Sequence, residues 1–213
     1  YKLLKNRVLA ENVVHTDDTP IPVQDDSREH CRTGRLWVYV SRGGTVHDST
    51  PDRCRDGPQE FLKGFRGYLQ CDAYPGYNRL FEEGAVVEVG CWAHARRKFI
   101  EAEKTCVGPA HEAVARIRSL YAIEHEGKTL DAVARSELRQ SKAVPCLQEL
   151  KSWLEKQRAE VLPKSPMAEA INYTLNQWEA LNIYTCDGNL AIDNNIAERA
   201  VKPFAIGRKN WLF

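Results

Sequence analysis

The sequence predicts an α/β protein in which a strand-rich first part is followed by a purely helical segment and one final helix. Before Trp92, short β-branched and aromatic runs alternate with glycine and proline, which is typical of strands and turns. After Trp92, apolar residues recur every three or four positions, as they do on the buried face of a helix. The two patterns together predict the α/β class. The change from strand-like runs to helical spacing marks the boundary between the two parts of the chain.

Five strands are predicted in the first part. The first is closed by Pro20 and Pro22, since proline cannot donate a backbone hydrogen bond. The second is almost continuously apolar, as in an interior strand buried on both faces. Short helices are expected at 59–65 and 78–83. The predicted strands are residues 11–17, 34–41, 45–48, 67–72 and 85–91.

The helical segment covers residues 105–185, where Ser165 followed by Pro166 is a typical helix start. A last helix follows, for which Asn189 is the expected cap and Pro203 the expected end. Its apolar face is predicted to hold Ile192, Ile196 and Ala200, and Glu198 to project from the opposite face. The predicted division is therefore a first part of the core at 1–104, an insertion at 105–185 and the final helix of the core at 186–213.

Composition excludes several classes of protein. The chain has 213 residues, 43% of them hydrophobic and 28% charged, which is typical of a globular domain and not of a disordered one. No apolar stretch reaches the roughly 18 residues that a membrane span needs. The formal net charge of +1 does not favour a protein that binds nucleic acid over its whole surface. Because the first residue is Tyr1, we expect a core taken from a longer protein.

Two aspartates, Asp17 and Asp72, end apolar strands, where a carboxylate is costly unless it is paired, hydrogen-bonded or bound to metal. Magnesium prefers such oxygen ligands, and two ions roughly 3.5–4 Å apart can hold both oxygens of a phosphoryl displacement. Glu198 could supply a third carboxylate. The alternative is that each acid simply pairs with a lysine or arginine.

Five segments, in order along the chain, resemble the catalytic region of transposases of the insertion sequence 66 family, a branch of the DDE transposases. The helical segment is the part that matches weakly. The matching segments are residues 15–23 (HTDDTPIPV), 34–40 (GRLWVYV), 64–77 (GFRGYLQCDAYPGY), 89–99 (VGCWAHARRKF) and 192–200 (IDNNIAERA) running on to 207–213 (GRKNWLF).

The resemblance implies a ribonuclease H-like mixed sheet with flanking helices, interrupted by an all-helical insertion. It also implies a catalytic and metal-binding triad of Asp17, Asp72 and Glu198. Asp18 is the rival for the first position, because a shift of one residue along a strand changes the face of the sheet. Asp193 is a weaker rival for the third position, since an acid in a first helical turn is favoured by the helix dipole alone.

The cofactor implied is a pair of Mg²⁺ ions, for which Mn²⁺ is an expected substitute. Basic residues that follow Cys91 and that surround Glu198 are expected to contact DNA phosphates, the alternative being solvated basic surfaces. The residues expected to bind DNA are His94, Arg96, Arg97, Lys98, Arg199, Lys202, Arg208 and Lys209.

By this resemblance the chain is the core of a DNA transposase that cleaves and joins strands at the ends of an insertion sequence. The expected partners are terminal inverted repeats, target DNA, further copies of the chain on paired ends, and accessory proteins encoded by the same element. The expected location is the bacterial cytoplasm, at the nucleoid, with no membrane association. The alternatives are a structure-selective nuclease of the same fold and a non-catalytic DNA-binding remnant.

Overall fold

The computed structural model describes residues 1–24 and 30–208, and they form two compact units. The sheet unit comprises Tyr1–Glu88 together with Asn194–Phe213, and the helical unit comprises Val89–Asp193. The chain thus leaves the sheet unit once and returns to it for the last helix. The three-part division of the chain drawn from the sequence stays a prediction.

The sheet unit is built on five strands in the order β3-β2-β1-β4-β5. β1 is the middle strand, antiparallel to β2 and parallel to β4, so the sheet is mixed. The predicted α/β class is therefore confirmed. The strands are β1 (Val13–Val23), β2 (Arg32–Ser41), β3 (Gly44–Thr50), β4 (Gly67–Gln70) and β5 (Val86–Val89).

The prediction that Pro20 and Pro22 close the first strand was wrong, because β1 continues through both prolines. β2 pairs with β1 from His15 to Val23, whereas β4 pairs with β1 over Val13–His15. Beyond His15 the second edge of β1 therefore pairs with no strand among the described residues. Proline is tolerated at such an edge, because no neighbouring strand needs its missing N–H.

The two faces of the sheet carry separate apolar clusters. Trp37 and Tyr39 of β2 belong to a large cluster with residues of α1 (Lys2–Leu9), α2 (Asp56–Phe61) and α3 (Asn78–Glu82). Val38, which lies between them in sequence and so points to the other face, packs against the last helix, α10 (Asn195–Gly207). The sheet is therefore covered on both sides, and α10 alone accounts for the Val38 cluster.

The start of α10 differs from the prediction. Asn194 occupies the cap position, and Asn189 lies in a turn where its backbone N–H donates to Asp187 Oδ1 at 2.8 Å. The buried face consists of Ala197 and Val201, and the predicted Ala200 packs against it. Of the predicted isoleucines, Ile196 is exposed, and Ile192 is buried but precedes the helix. The prediction gave weight to the isoleucines and none to Ala197. The small side chain of Ala197 lets the helix approach the sheet closely.

The end of α10 differs as well, since Pro203 lies inside the helix instead of ending it. Tertiary contacts hold the turn that follows the proline. The Phe204 ring packs 4.7 Å from the ring of His47, and Arg208 Nη1 donates to Thr19 Oγ1 at 2.9 Å. These contacts offset the one backbone hydrogen bond that proline removes.

Every residue of 90–193 is described, and none lies in a strand, as predicted for the helical segment. The expected start at Ser165 is confirmed, since its Oγ accepts from Ala168 N at 3.2 Å. Within the described ranges, no helix combines the length and hydropathy that crossing a membrane requires. The α-helices are α4 (Trp92–Ala102), α5 (Val107–Glu126), α6 (Ala132–Leu138), α7 (Val144–Glu160), α8 (Pro166–Asn176) and α9 (Trp178–Asn182).

Candidate active site

Asp17 lies on the middle strand, on the face of the sheet that α10 covers. It stands opposite Val38 in the β1–β2 register, and Val38 packs against Ala197 and Val201 of α10. Side chains directly opposite each other in an antiparallel pair share a face of the sheet. The strand register therefore places Asp17 beside the helix that carries Glu198.

The pKa of Asp17 is raised from its ordinary value of 3.8 to about 7. Burial is the largest cause, and the negative charges of Asp72, Asp18 and Glu198 raise it further. A hydrogen bond from the Asp18 backbone N–H to Asp17 Oδ1, 2.8 Å long, acts in the opposite direction. Asp17 is thus a half-buried acid within electrostatic range of both other predicted members of the triad.

Asp72 follows β4, two residues beyond its last hydrogen-bonded position at Gln70. Because β4 is parallel to β1, the segments that follow both strands run toward the same edge of the sheet. Arg53 Nη2 lies 3.7 Å from Asp72 Oδ2. Glu88 on β5 is also near, since its pKa is raised by burial and then by the charge of Asp72.

Glu198 lies in the first turn of α10, and it is half-buried. The packed face is displaced by one residue from the predicted one, since it is formed by Ala197 and Val201. Glu198 follows Ala197 directly, so it lies beside that face. Its negative charge is the smallest of the causes that raise the pKa of Asp17, which places the two acids within electrostatic range of each other.

Asp18, the rival for the first position, points to the other face of β1 and is paired with two arginines. Arg35 Nη1 donates to Asp18 Oδ2 at 3.0 Å, and Arg53 donates to Asp18 Oδ1 through Nη2 at 2.8 Å and Nε at 3.1 Å. The Asp18 side chain is 4% exposed. Arg53 therefore links Asp18 to Asp72, and Asp18 serves as its anchor.

Asp193, the rival for the third position, precedes α10 instead of lying in its first turn, contrary to the prediction. It belongs to the helical unit, where the Tyr121 hydroxyl donates to its Oδ2 at 3.1 Å. Asp193 raises the pKa of Tyr121 after burial does. Its surroundings are those of a hydrogen-bonded structural acid.

The basic residues predicted to contact DNA fall into two groups. Those of α4 belong to the helical unit: Arg96 and Arg97 are exposed, and Lys98 Nζ lies 4.8 Å from the centre of the Tyr173 ring. His94 is half-buried on the same helix. On or just after α10, Arg199 and Lys202 are exposed and Arg208 binds β1, while Lys209 lies outside the described residues.

Three contributions to this site were missed at the sequence level. Arg53 lies in the loop between β3 and α2, and nothing in the local sequence distinguishes it from an ordinary basic loop residue. Glu88 could have been noticed as the one acid in an apolar strand. Asn194 was not identified as a site residue from the sequence, yet it is 1% exposed and its Nδ2 donates to the Thr16 carbonyl oxygen at 2.8 Å.

The predicted triad of Asp17, Asp72 and Glu198 offers the donor chemistry of a divalent metal site, and the convergence of the three side chains on one metal stays a prediction. All the donor atoms are oxygens, which Mg²⁺ prefers. Their mutual charge already raises the pKa of Asp17, so a bound cation would relieve a repulsion that the fold itself imposes. Arg53, which reaches Asp72 and also binds Asp18, supplies a single positive charge. That charge is too small to neutralise all three acids of the triad.

The raised pKa of Asp17 predicts how the stability of the metal-free protein depends on pH. The pKa of Asp17 is higher in the folded state than in the unfolded state, so protonation of Asp17 stabilises the fold. This stabilisation is complete below about pH 3.8 and is lost as the pH rises to about 7. Asp17→Asn has no such loss. Its free energy of unfolding should exceed that of the native protein by an amount that grows over this window, by up to about 4 kcal/mol.

Urea unfolding in EDTA at pH 4, 5.5, 7 and 8.5 measures this difference. Above pH 7 the advantage of Asp17→Asn should level off. Asp56→Asn, at a side chain that is 89% exposed, is the matched control and should give a constant difference near zero. A difference between Asp17→Asn and the native protein that does not change with pH would contradict the burial of a titrating Asp17.

The family model described as "Transposase IS66 family" matches residues 1–213. Among curated proteins, the chain is similar to "Uncharacterized protein y4hP" of Sinorhizobium fredii, at 36% identity over 100% of this chain and 43% of the relative. It is also similar to "Uncharacterized protein y4qI" of the same organism, at 35% identity over 97% of this chain and 42% of the relative. No solved structure matches the chain.

The chain spans less than half the length of these relatives. The match to the family is nevertheless complete along the chain, and it includes the segments that hold the three acids. The chain belongs to the IS66 family of transposases.

Proposed function

We propose that the chain is the catalytic core of a DNA transposase, with a ribonuclease H-like fold and a metal site formed by Asp17, Asp72 and Glu198. The observation that carries this proposal is the position of the half-buried Asp17 on the face of the sheet that the helix of Glu198 covers, with a pKa raised first by burial and then by the charges of Asp72 and Glu198. Membership of the transposase family supports the reaction class.

The arrangement of the sheet unit supports the fold assignment. The first acid lies on the middle strand, the second follows the parallel neighbour of that strand, and the third lies on a helix that returns to the sheet after the helical unit. A mixed sheet with helices on both faces agrees with the ribonuclease H-like class inferred from the resemblance. The helical unit then corresponds to the insertion.

The three carboxylates would hold two divalent ions, Mg²⁺ or Mn²⁺. Such a pair supplies an activated attacking oxygen and stabilises the leaving oxygen of a phosphodiester. The chain's own part is to hold the ligands rigidly: Asp17 on the middle strand, where it pairs with β2, and Glu198 in the first turn of a packed helix. Arg53 anchors the Asp72 side chain from the opposite side of β1.

The basic residues are proposed to hold DNA phosphates. Arg199 and Lys202 are exposed on the helix that carries the third acid, and Arg96 and Arg97 are exposed on α4.

Because the chain covers under half of its relatives, recognition of terminal inverted repeats and assembly on paired ends are proposals for the whole protein, as are partners encoded by the same element. A location at the bacterial nucleoid follows from that function.

The test uses the full-length protein with a duplex that ends in its element's inverted repeat. With Mg²⁺ or Mn²⁺ we expect strand cleavage and joining of the 3′ end to target DNA. Asp72→Asn should lower the cleavage rate by about 10³-fold or more, since metal ions supply several kcal/mol of transition-state stabilisation. Asp56→Asn, an exposed acid of the same unit, is the control and should cleave at the native rate.

Native cleavage by Asp72→Asn would contradict the proposed site. Cleavage of branched DNA without joining of ends would reassign the protein as a structure-selective nuclease. DNA binding by the native protein with no metal-dependent cleavage would identify a non-catalytic remnant.

A further inference from the structure

We propose that Asn194 is a positioning residue that fixes the third acid to the first, through a buried set of hydrogen bonds between α10 and β1. His15 holds Asn194 in place. This inference rests on the proposed function, because it concerns the geometry of the same carboxylates. It assigns a role to two residues outside the predicted triad.

The contacts connect the two acids in a short chain of bonds. Asn194 Nδ2 donates to the Thr16 carbonyl oxygen at 2.8 Å, and that carbonyl belongs to the peptide directly before Asp17. The Asn194 carbonyl oxygen accepts from Glu198 N at 3.2 Å, which is the hydrogen bond that closes the first turn of α10. One residue therefore contacts the backbone at both acids.

The orientation of the Asn194 amide follows from its neighbours. The Thr16 carbonyl can only accept, so the amide nitrogen must face it. The amide oxygen then faces His15 Nδ1 at 3.2 Å, and His15 must carry its proton on that nitrogen to donate. Both side chains are buried, at 1% exposure for Asn194 and 7% for His15. The pair thus specifies one amide orientation and one imidazole tautomer.

Asn194 gives up an ordinary local role to make these contacts. An asparagine at a cap position usually accepts a hydrogen bond from the second or third helical N–H, which contributes about 1 kcal/mol to the helix. Asn194 stands at the cap of α10 but its side chain makes no such bond. The side chain is committed to β1 instead, so what it stabilises is the position of the helix relative to the strand.

This position matters for the metal site. Glu198 and Asp17 come from segments far apart in sequence, and only packing and hydrogen bonds hold them at a constant separation. The apolar contact of Ala197 and Val201 with Val38 is non-directional and allows the helix to slide. The hydrogen bonds of Arg208 to β1 restrain the far end of the helix, and those of Asn194 restrain the turn where Glu198 is located.

The experiment measures Mn²⁺ binding by the purified protein, from the electron paramagnetic resonance signal of free Mn²⁺. Asn194→Ala and Asn194→Asp should each weaken binding by about 10–100-fold, the usual effect of losing residues that orient metal ligands. Val46→Ala is the control: it removes buried volume from the cluster on the other face of the sheet and should bind as the native protein does. Circular dichroism checks that each variant is folded.

Variants of His15 keep the test independent of Asn194. An asparagine side chain can place an amide nitrogen where His15 Nδ1 lies, and leucine cannot. We therefore expect His15→Asn to retain more Mn²⁺ affinity than His15→Leu. Equal affinity of these two variants, or native affinity of Asn194→Ala, would overturn the positioning role.

The variant Asp17→Asn distinguishes a failure of the positioning inference from a failure of the proposed metal site. If it abolishes Mn²⁺ binding while Asn194→Ala binds normally, the positioning inference is wrong and the metal site stands. If Asp17→Asn itself binds Mn²⁺ with native affinity, the proposed site fails, and the positioning inference fails with it.

Discussion

Asparagine in place of Asp17 is expected to abolish metal-dependent DNA cleavage, whereas asparagine in place of Asp18 is expected to leave most of it. Asp17 shares a face of the sheet with α10 and is within electrostatic range of Asp72 and Glu198. Asp18 is on the other face and is engaged by Arg35 and Arg53. The first substitution removes a metal ligand and should cost about 10³-fold in rate or more.

Single-turnover cleavage by the full-length protein at saturating Mn²⁺ measures both effects. Asp18→Asn should show its main effect in stability, because it weakens the partner of two arginines in a largely buried position. Urea unfolding of the same preparations separates the two properties. If Asp18→Asn abolished cleavage while Asp17→Asn cleaved normally, the first acid would be Asp18.

Replacing Arg139 by methionine is expected to lower the free energy of unfolding of the helical unit by about 3–5 kcal/mol, the usual cost of breaking a buried ion pair. The Arg139 side chain is 1% exposed and binds both oxygens of Glu124, at 2.8 and 2.6 Å. It also donates to the carbonyl oxygens of Tyr184, Asp187 and Leu190. Methionine fills a similar volume but leaves these acceptors without their donor.

Urea unfolding followed by circular dichroism measures this cost. Arg116→Met is the matched control, because Arg116 forms an exposed pair with Glu112 one turn away, worth about 0.3–0.5 kcal/mol. A loss for Arg139→Met no larger than that of the control would show that the segment 184–190 is held by packing alone.

Much of the fold could be predicted from the sequence where local signals and tertiary structure agree. The interior strand with Trp37 and the helix start at Ser165 are examples, since burial and capping are encoded by residues within a few positions. The predictions failed at Pro20 and Pro203. Proline forbids one hydrogen bond, and whether that bond is needed depends on a neighbouring strand or on tertiary contacts that no local pattern reveals.

The candidate site could be predicted only in part, for a related reason. Asp17 and Asp72 were noticed because an acid at the end of an apolar strand is unusual, and the resemblance added Glu198. The roles of Arg53 and Asn194 depend on partners tens of residues away, such as Asp18 and Thr16. The orientation of α10 was missed because Ala197 carries so little hydrophobic surface that the isoleucines dominated the pattern.

The most direct test of the metal site is the anomalous difference map of crystals of the protein grown with Mn²⁺. We predict peaks bounded by the carboxylates of Asp17, Asp72 and Glu198, two of them roughly 3.5–4 Å apart when DNA is bound. Mn²⁺ bound elsewhere in the protein, with these three side chains free of metal, would contradict the account.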